Sequence, residues 1–286
     1  MLSIDPKEIP TAKLHGYLLG AVAPRPIAFA STIDAEGNPN LSPYSFFNVF
    51  SANPPIMIFS PARRVRNNTI KHTLENAIAT KEVVINVVNH AIVQQMSLSS
   101  TEYAAGVNEF EKAGLTMLPS EKVKPFRVAE SPVQFECKVN EVVSLGSEGG
   151  AGNLIICEVV KLHINEDILN DRGTIDHYKI DLVARAGGSF YSRARDGFFE
   201  IPKPIATLGI GVDQIPVDIR TSTVLTGNDL GILGNVEKLP TEVEIQEFIQ
   251  TTEITISDTP ETNHKAAQTF LANGDVQSAW KILLAK

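Results

Sequence analysis

Short apolar runs separated by turn residues dominate the first two thirds of the chain, and this pattern predicts strands more often than helices. Pro26 to Ile33 is the first predicted strand, and the turn residues Asp34 to Asn38 connect it to a returning strand from Asn40 to Val49. Ile56 to Ser60 is apolar at four of its five positions, which indicates a strand buried on both faces. These runs predict antiparallel strands joined by hairpins.

Two longer runs rich in Val and Ile, Val133 to Leu145 and Leu154 to Ile164, predict a second hairpin, and Glu82 to Val88 predicts a strand before it. The glycine-rich residues 146–152 between the two runs match neither common phosphate-binding glycine motif, and a strand rather than a helix follows them. We therefore interpret them as a flexible hairpin loop. Hairpins with a few inserted helices predict a barrel rather than a parallel, doubly wound sheet.

Helices are predicted at three places among these strands. Thr11 to Val22 ends before Pro24, because proline cannot continue a helix and disfavours helical geometry in the residue before it. Asn67 to Thr80 has apolar residues at spacings of three and four, which is typical of an amphipathic helix. Ala91 to Leu98 predicts a third helix, and a polar loop from Ser99 to Lys124 follows it.

The pattern changes after Arg195, where prolines and glycines predict an extended, loop-rich connection. The residues concerned are Pro202, Pro204, Gly209, Gly211 and Pro216. Glu261 to Lys286 then predicts two short helices separated by Asn273 and Gly274. We expect a mainly β domain with peripheral helices over residues 1–200 and a C-terminal extension, first extended and then helical, over residues 201–286.

Charge and hydropathy exclude several classes of function. The formal net charge of −8 repels polyanions, so nucleic acid is not the expected partner. Prolines interrupt the most apolar stretch, Leu18 to Ala30, so we expect no membrane span. Met1 to Pro10 lacks the apolar core of a secretory signal, and we therefore expect a cytoplasmic location.

Cysteine and histidine positions do not predict a metal site. Cys137 and Cys157 each lie in an apolar, β-branched run, where a thiol usually behaves as a small buried hydrophobic group. The histidines lack paired metal-binding spacing, so we expect no zinc site. They are His15, His72, His90, His163, His177 and His264.

A cluster of positive charge follows the predicted strand that ends at Ser60. It comprises Arg63, Arg64, Arg66 and Lys71, which fall within nine positions. The cluster reaches the start of the next predicted helix, which Asn68 or Thr69 would cap, and helix N-termini favour phosphate. Ser60 and Thr73 would add hydroxyl donors. An ordinary solvated loop would carry the same charges, so both interpretations stay open at this point.

An unusual polar and aromatic run interrupts the predicted returning strand. Its residues are Ser42, Pro43, Tyr44, Ser45, Phe46, Phe47 and Asn48. Serines, an asparagine and aromatic rings crowded together would suit a planar heteroaromatic ligand. A core aromatic pair flanked by edge-strand serines would give the same pattern.

Several segments in order resemble the flavin reductase-like, FMN-binding split-barrel family, particularly its flavoredoxin-like branch. The matching segments are Pro24 to Ala28, Ser31 and Thr32, Gly37 to Asn48, Ser51 to Ser60, Lys71 to Thr73 with Asn76, Val83 to Val88 and Arg185 to Tyr191. The resemblance covers most of residues 12–195, and its most specific part is the run 42–48.

The resemblance implies an antiparallel, homodimeric split β-barrel that binds FMN near the subunit interface. It implies that one group of residues borders the isoalloxazine and ribityl chain: Ser31, Thr32, Ser45, Phe46, Phe47 and Asn48. It implies that a second group holds the phosphate: Ser60, Arg63, Arg64, Lys71 and Thr73. This agrees with the anion site argued above from charge.

Two departures from the family pattern affect the expected function. His72 stands where the family commonly has an acidic residue, and the strand that begins at Asn153 lacks the preceding histidine of many reductase members. The missing histidine would weaken the binding of NADH or NADPH, whereas His72 would alter only a surface contact.

Three functions remain open. They are an NAD(P)H-dependent flavin reductase, an electron carrier that exchanges electrons with a protein partner, and a flavin-binding module without turnover. Flavin redox chemistry demands no catalytic acid or base from the protein, so we assign contacts rather than a catalytic residue.

Overall fold

The apolar runs of the sequence fold into two groups of elements in the computed structural model, which describes residues 1–104, 106–201, 208–252, 254 and 256–285. The first unit is Met1–Phe198 and the second is Phe199–Lys286. Each unit buries apolar residues of its own. None of the described helices has both the length and the apolar character that crossing a membrane requires.

The first unit contains one large antiparallel sheet with helices around it. Its elements are α1 Thr11–Ala21, β1 Ala28–Ile33, β2 Pro39–Tyr44, β3 Phe47–Ala52, β4 Pro55–Phe59, α2 His72–Thr80, β5 Glu82–Val87, α3 Val93–Leu98, α4 Glu109–Ala113, β6 Met117–Leu118, β7 Arg127–Val128, β8 Val133–Ser144, β9 Asn153–Ile164, β10 Val183–Arg185 and β11 Tyr191–Arg193. Seven strands pair in the order β2-β1-β5-β8-β9-β4-β3, and β6-β7 and β10-β11 form separate pairs. The predicted antiparallel hairpins β1-β2 and β8-β9 are confirmed.

The returning strand that we predicted over Asn40 to Val49 is wrong as a single element. The chain leaves β2 after Tyr44 and enters β3 at Phe47, and these two strands are the opposite edges of the seven-stranded sheet. Six strand spacings would separate the edges of a flat sheet by roughly 29 Å. Tyr44 and Phe47 are three residues apart and span at most about 11 Å. The sheet must therefore curve until its edges meet at this connection.

Helix α2 begins at His72 and not in the region Asn67 to Thr69 that periodicity predicted. Asn68 has a φ of 54°, in the left-handed region, so it cannot lie within a right-handed helix. The side chain of Arg64 donates to Thr69 Oγ1 at 2.9 Å and to the Ile70 carbonyl at 2.6 Å, which holds this stretch as a loop. The first turns of the predicted helix are thus replaced by a loop organised around an arginine.

The predicted polar loop from Ser99 to Lys124 contains two short elements, α4 and β6. The Asn108 side chain accepts a hydrogen bond from the Phe110 N–H at 3.0 Å and caps α4. Phe110 is fully buried and joins the apolar cluster that includes Phe29 and Met96. Five residues are too few to show a helical period, which is why α4 was missed.

The two cysteines are buried free thiols, as their apolar surroundings predicted. They lie on β8 and β9, in the cluster that fills the space between the sheet and α2. Burial raises the pKa of the Cys157 thiol to about 12. A thiol with so high a pKa is unreactive at neutral pH.

The second unit is helical for more of its length than the sequence indicated. It contains α5 Val217–Arg220, α6 Gly227–Leu233, α7 Glu242–Thr251, α8 Pro260–Ala272 and α9 Val276–Leu284. The expectation of an extended connection is wrong for 217–251, and the two predicted C-terminal helices are confirmed as α8 and α9. Capping boxes at Thr226 and Thr241 were the overlooked signals for α6 and α7. Pro202 and Pro204 lie outside the described residues.

The core of the second unit surrounds Trp280, which is completely buried. Its indole Nε1–H donates to the Leu233 carbonyl at 3.1 Å and so joins α9 to the end of α6. Trp280 is the single tryptophan of the chain. Its fluorescence therefore reports on the second unit alone.

Glu136 is a buried carboxylate that organises the loop before β7. It accepts backbone hydrogen bonds from Glu121 at 2.9 Å, Lys122 at 2.5 Å and Val123 at 3.2 Å, and it contacts His163 Nε2 at 2.7 Å. Burial would raise the pKa of Glu136, but these hydrogen bonds outweigh it and lower the pKa below its ordinary value. The ionised form therefore stabilises the folded state.

We expect Glu136→Gln to lower the free energy of unfolding by about 1 to 3 kcal/mol at pH 7, because a neutral amide accepts these hydrogen bonds more weakly. A folded pKa below the unfolded one adds stability at neutral pH that is lost as the pH falls through the folded pKa. The variant should therefore approach the parent in stability under acid. Urea denaturation followed by circular dichroism at pH 7 and in acid measures both effects. Glu141→Gln, at an exposed position on the same strand, is the control and should change stability little; an equal loss there would contradict this account.

Candidate functional site

A cleft of about 220 Å³ lies where the chain passes from β2 to β3. It is lined by His15, Leu19, Arg25, Pro43, Tyr44, Ser45, Phe46, Ser60, Ala62, Lys71, Arg185, Ala186 and Gly188. Five separate parts of the first unit contribute to it: α1, the start of β1, the β2-β3 connection, the loop after β4 and the β10 region. The cleft therefore depends on the tertiary fold.

Lys71 provides an unpaired positive charge in this cleft. It directly precedes α2, it is half-buried, and its Nζ lies 5.0 Å from the centre of the Tyr44 ring. Burial, followed by repulsion from Arg64, lowers the pKa of Lys71. Among the described residues, no carboxylate lies within ion-pairing distance of it. A half-buried ammonium group without a counter-ion favours an anionic ligand.

The arginines of the loop after β4 mainly maintain the loop itself. The guanidinium of Arg63 donates to the side chain and the carbonyl of Asn68 at 2.6 and 2.7 Å. Arg64 and Arg66 both form ion pairs with Glu102, at 3.0 and 3.1 Å. Arg64 lines a smaller cavity beside the cleft together with Lys71 and Thr73, whereas Arg63 lines neither cavity. The structure thus brings Arg64 to the anion region and uses Arg63 to shape the loop.

The glycine-rich hairpin loop, residues 146–152, packs against this arginine loop. Arg63 N–H donates to the Ala151 carbonyl at 2.8 Å, and Gly150 N–H donates to the Arg63 carbonyl at 3.0 Å. A Cβ on Gly149 would lie 3.0 Å from the Val65 carbonyl oxygen. The glycines therefore permit close backbone contact, a role that our interpretation as a flexible loop had missed.

Ser60 lines the cleft and is positioned by the start of β9. Its Oγ accepts a hydrogen bond from the Asn153 N–H at 3.1 Å. The Asn153 side chain donates to the Pro61 carbonyl at 3.0 Å. Asn153, the first residue of the strand that lacks the preceding histidine, thus holds the backbone beside Ser60.

Ser31 and Thr32 are completely buried and do not line the cleft. Thr32 Oγ1 accepts hydrogen bonds from the Asn40 and Asn76 side chains, both at 3.1 Å. Asn40 also donates to Thr73 Oγ1 at 2.9 Å. These contacts fasten α2 to β1 and β2, so Thr32 and Thr73 help to position the start of α2 beside Lys71.

The residues of the β2-β3 connection are divided between cleft, core and surface. Ser45 and Phe46 line the cleft, and the 39% exposed Phe46 ring lies 5.9 Å from the Arg25 guanidinium. Phe47 packs against the core. Asn48 is exposed on β3, where its Oδ1 accepts a hydrogen bond from the next backbone N–H at 2.8 Å. The structure therefore brings two of these four predicted residues together.

Arg25 is a site residue that sequence reasoning did not select. It is 6% exposed, and its guanidinium donates to the carbonyls of Leu19 at 2.7 Å, of Val22, and of Ala186 at 3.3 Å. Its Nε also donates to Ser45 Oγ at 3.3 Å. Burial, and then the charge of Arg185, lowers the pKa of Arg25. An arginine between two prolines in an apolar stretch was the available signal.

Arg185 is the second cation of this part of the cleft that was not selected. Its backbone pairs with that of Arg25 through hydrogen bonds of 2.9 and 2.8 Å. No carboxylate in the described part of the chain forms an ion pair with either guanidinium. The cleft therefore has two positive regions, one at Lys71 and one at Arg25 and Arg185.

Comparison with known proteins identifies this architecture. The model of the flavin reductase like domain matches residues 20–179, more than half of the chain. The chain belongs to the flavin reductase-like family. Its curved antiparallel sheet is the split barrel expected from the resemblance, and its membership places it among the flavin-related oxidoreductases.

Relatives of this flavin reductase-like chain match about two thirds of its length. An uncharacterized protein of Aquifex aeolicus is 37% identical over 188 residues, which are 66% of this chain and 93% of that protein. The structure of nitrilotriacetate monooxygenase component B from Bacillus cereus is 30% identical with a TM-score of 0.66, and the match covers 70% of this chain and 98% of that one. Flavoredoxin of Desulfovibrio vulgaris, at 22% identity, shares the fold with a TM-score of 0.54 over 65% of this chain and 93% of that one.

The described residues fit a flavin in this flavin reductase-like cleft. Lys71 suits the phosphate, and the exposed Phe46 ring suits the planar part of the molecule. The Tyr44 hydroxyl is buried and has no hydrogen-bond partner within the described chain. Burying a hydroxyl group costs free energy unless a ligand or a water molecule forms a hydrogen bond with it.

We expect Gly152→Ala to disturb the phosphate end of the cleft, because the new Cβ would lie 2.7 Å from Ser60 Oγ. Ser60 would have to rotate and give up its hydrogen bond with Asn153 N–H. The loss should be about 1 to 3 kcal/mol in the free energy of unfolding, which urea denaturation measures. Gly16→Ala in α1 meets no atom within 4 Å and is the matched control. Gly16→Ala should be at least as stable as the parent, because alanine favours a helix more than glycine does. A Gly152→Ala variant as stable as the parent would show that the Ser60 contact is dispensable.

Proposed function

We propose that this chain binds FMN in the cleft beside the β2-β3 connection and is an FMN oxidoreductase that accepts electrons from NADH or NADPH. The observation that carries the proposal is Lys71, a half-buried cation without an acid partner among the described residues, at one end of a cleft that contains an exposed aromatic ring. Membership of the flavin reductase-like family supports the same ligand class.

Residues around the start of α2 would hold the phosphate. Lys71 would donate to it directly, and Ser60 would add a hydroxyl from the loop after β4. Arg64 and Thr73 lie in the adjoining small cavity and would contribute charge and position. Arg63 would act indirectly, by keeping the loop in shape. A charge-assisted hydrogen bond of this kind is about twice as strong as a neutral one.

Ser45 and Phe46 would border the ring system at the other end, with Arg25 behind them. Arg25 fixes Ser45 through its Nε hydrogen bond and carries a charge that no carboxylate of the described chain offsets. Ser31, Thr32, Phe47 and Asn48 would support this end from the core and from β3 rather than touch the ligand. When bound, FMN would supply the redox chemistry, since flavins take up hydride from reduced nicotinamides without a protein acid or base.

A homodimer is part of this proposal. Val49 and Phe50 on the edge strand β3 are 56% and 63% exposed, and apolar side chains at a sheet edge favour burial against another chain. The proposed location is the cytoplasm, where reduced nicotinamides are available and where free thiols such as Cys137 and Cys157 persist.

An electron carrier with tightly bound FMN is the second candidate. The observation that favours it is Asn153, whose side chain is committed to the Pro61 carbonyl where many reductases have a histidine nearby. In such a carrier a protein partner would supply the electrons to FMN. The remaining alternative, a flavin-binding module without turnover, would bind FMN but accept electrons from no donor.

Visible spectroscopy tests these functions. The spectrum is recorded for protein purified without added flavin and again after addition of FMN. Under anaerobic conditions NADH and NADPH are then added separately. Bleaching of the flavin bands supports the oxidoreductase. Flavin that is reduced only by a redox protein identifies a carrier, and flavin that no donor reduces identifies a module without turnover. Failure to bind FMN at all would overturn the whole proposal.

We expect Lys71→Met to weaken FMN binding at least about tenfold, because the variant loses a charge-assisted hydrogen bond to the phosphate. Titration of FMN with protein, followed by quenching of the flavin fluorescence, measures the dissociation constant. Riboflavin, which lacks the phosphate, should bind parent and variant equally. Lys124→Met removes the same charge from an exposed position outside the cleft and should leave FMN binding intact. An equal loss of riboflavin affinity would mean that Lys71 does not contact the phosphate.

A further inference from the structure

A second cavity of about 150 Å³ adjoins the cleft. The two share Pro43, Tyr44, Ser45 and Arg185, so a ligand in the second cavity would lie directly beside a ligand in the first. A protein cavity of about 150 Å³ accommodates one benzene molecule. The second cavity is therefore the size of a single six-membered ring and is too small for a second flavin.

The second cavity has an apolar and aromatic wall beside its polar groups. Ile27 and Met96 are almost completely buried and face it together with Pro43 and the Tyr191 ring. A thioether beside an aromatic wall interacts favourably with another aromatic ring. These contacts favour a flat, apolar ligand over a sugar or a flexible polar chain.

Among the described residues, Arg185 alone brings a charge to the lining of the second cavity. Its guanidinium lies 4.6 Å from the centre of the Tyr191 ring, and its Nη2 donates to the Gly188 carbonyl at 2.5 Å. Arg193, on the neighbouring strand β11, instead has both a 2.8 Å and a 2.7 Å contact with the Asp181 carboxylate. Within the described residues, the remaining N–H groups of Arg185 have no carboxylate partner. They are therefore available to an anion, and an arginine fork matches a carboxylate in geometry.

We propose that the second cavity binds an aromatic carboxylate, with its ring against the wall that contains Met96 and Tyr191 and its carboxylate on Arg185. This inference rests on the proposed function, since it assigns the class of a second ligand of the flavin site. Ser45 and Ser100 supply hydroxyl groups beside the same space. The ligand would lie next to the isoalloxazine, where a compound that exchanges electrons with flavin must be.

Isothermal titration of benzoate into the FMN-loaded protein tests the proposal. Arg185→Gln should weaken benzoate binding at least about tenfold, since it removes a charge-assisted pair. Arg185→Lys keeps the positive charge but loses the planar guanidinium that contacts both carboxylate oxygens. Its affinity for benzoate should lie between those of the parent and Arg185→Gln. Arg172→Gln removes an exposed arginine outside the cavity and is the matched control, with unchanged affinity expected.

Ser100→Phe tests the cavity without touching Arg185. Ser100 is exposed at the cavity wall, so a phenyl group there should fill the space and abolish benzoate binding while the protein stays folded. Cyclohexanecarboxylate should bind more weakly than benzoate if the aromatic walls contribute. Inorganic phosphate should not compete with benzoate.

Three results would overturn the inference: equal benzoate affinity in Arg185→Gln and the parent, retained binding in Ser100→Phe, or displacement of FMN by benzoate, which would place both in the same cavity. A protein that binds no FMN would overturn the proposed function instead. In that case benzoate titration of the flavin-free protein still decides whether the aromatic carboxylate site exists.

Discussion

The two-residue connection between β2 and β3 is the constraint on which the rest of the first unit depends. It joins the two edge strands of a seven-stranded sheet, so the sheet has to curve until those edges meet. The loop after β4 and the segment before β1 meet at this connection, because Ser60 N–H donates to the Phe46 carbonyl at 2.9 Å and Arg25 Nε donates to Ser45 Oγ at 3.3 Å. The cleft lies at this junction, and its residues come from segments far apart in the chain.

The distribution of charge separates structural arginines from those available to a ligand. Arg64 and Arg66 share the single carboxylate of Glu102, Arg193 pairs with Asp181, and Arg63 is committed to Asn68. The cations that line the cleft, Arg25, Lys71 and Arg185, form no ion pair with a described carboxylate. Partial burial makes such charges costly in the absence of an anion. The fold therefore maintains positive charge in the cleft that an anionic ligand would offset.

The buried polar network around Thr32 consists of residues that hold α2 against the sheet. Thr32, Asn40, Thr73 and Asn76 lie in segments that resemble the family, and the sequence suggested that Thr32 and Thr73 contact the ligand. Thr32 accepts hydrogen bonds from Asn40 and Asn76, and Thr73 accepts one from Asn40, so these side chains fix α2 to the sheet. A polar residue in a matching segment either contacts the ligand or supports the residues around it. The sequence does not distinguish these roles, because the hydrogen-bond partners of the side chain come from other strands and from α2.

Local pattern by itself determined strand β1 and the turn after it, the β8-β9 hairpin, helices α1, α8 and α9, the buried cysteines and the concentration of positive charge after β4. These features depend on neighbouring residues, whose periodicity, turn residues and charge are visible in the chain. Tertiary structure alone decided that residues 40–49 are two strands at opposite edges, that the loop glycines pack on Arg63, and that Arg25 and Arg185 enter the cleft. Those outcomes depend on contacts between distant segments, and no local pattern records which distant segment a residue meets.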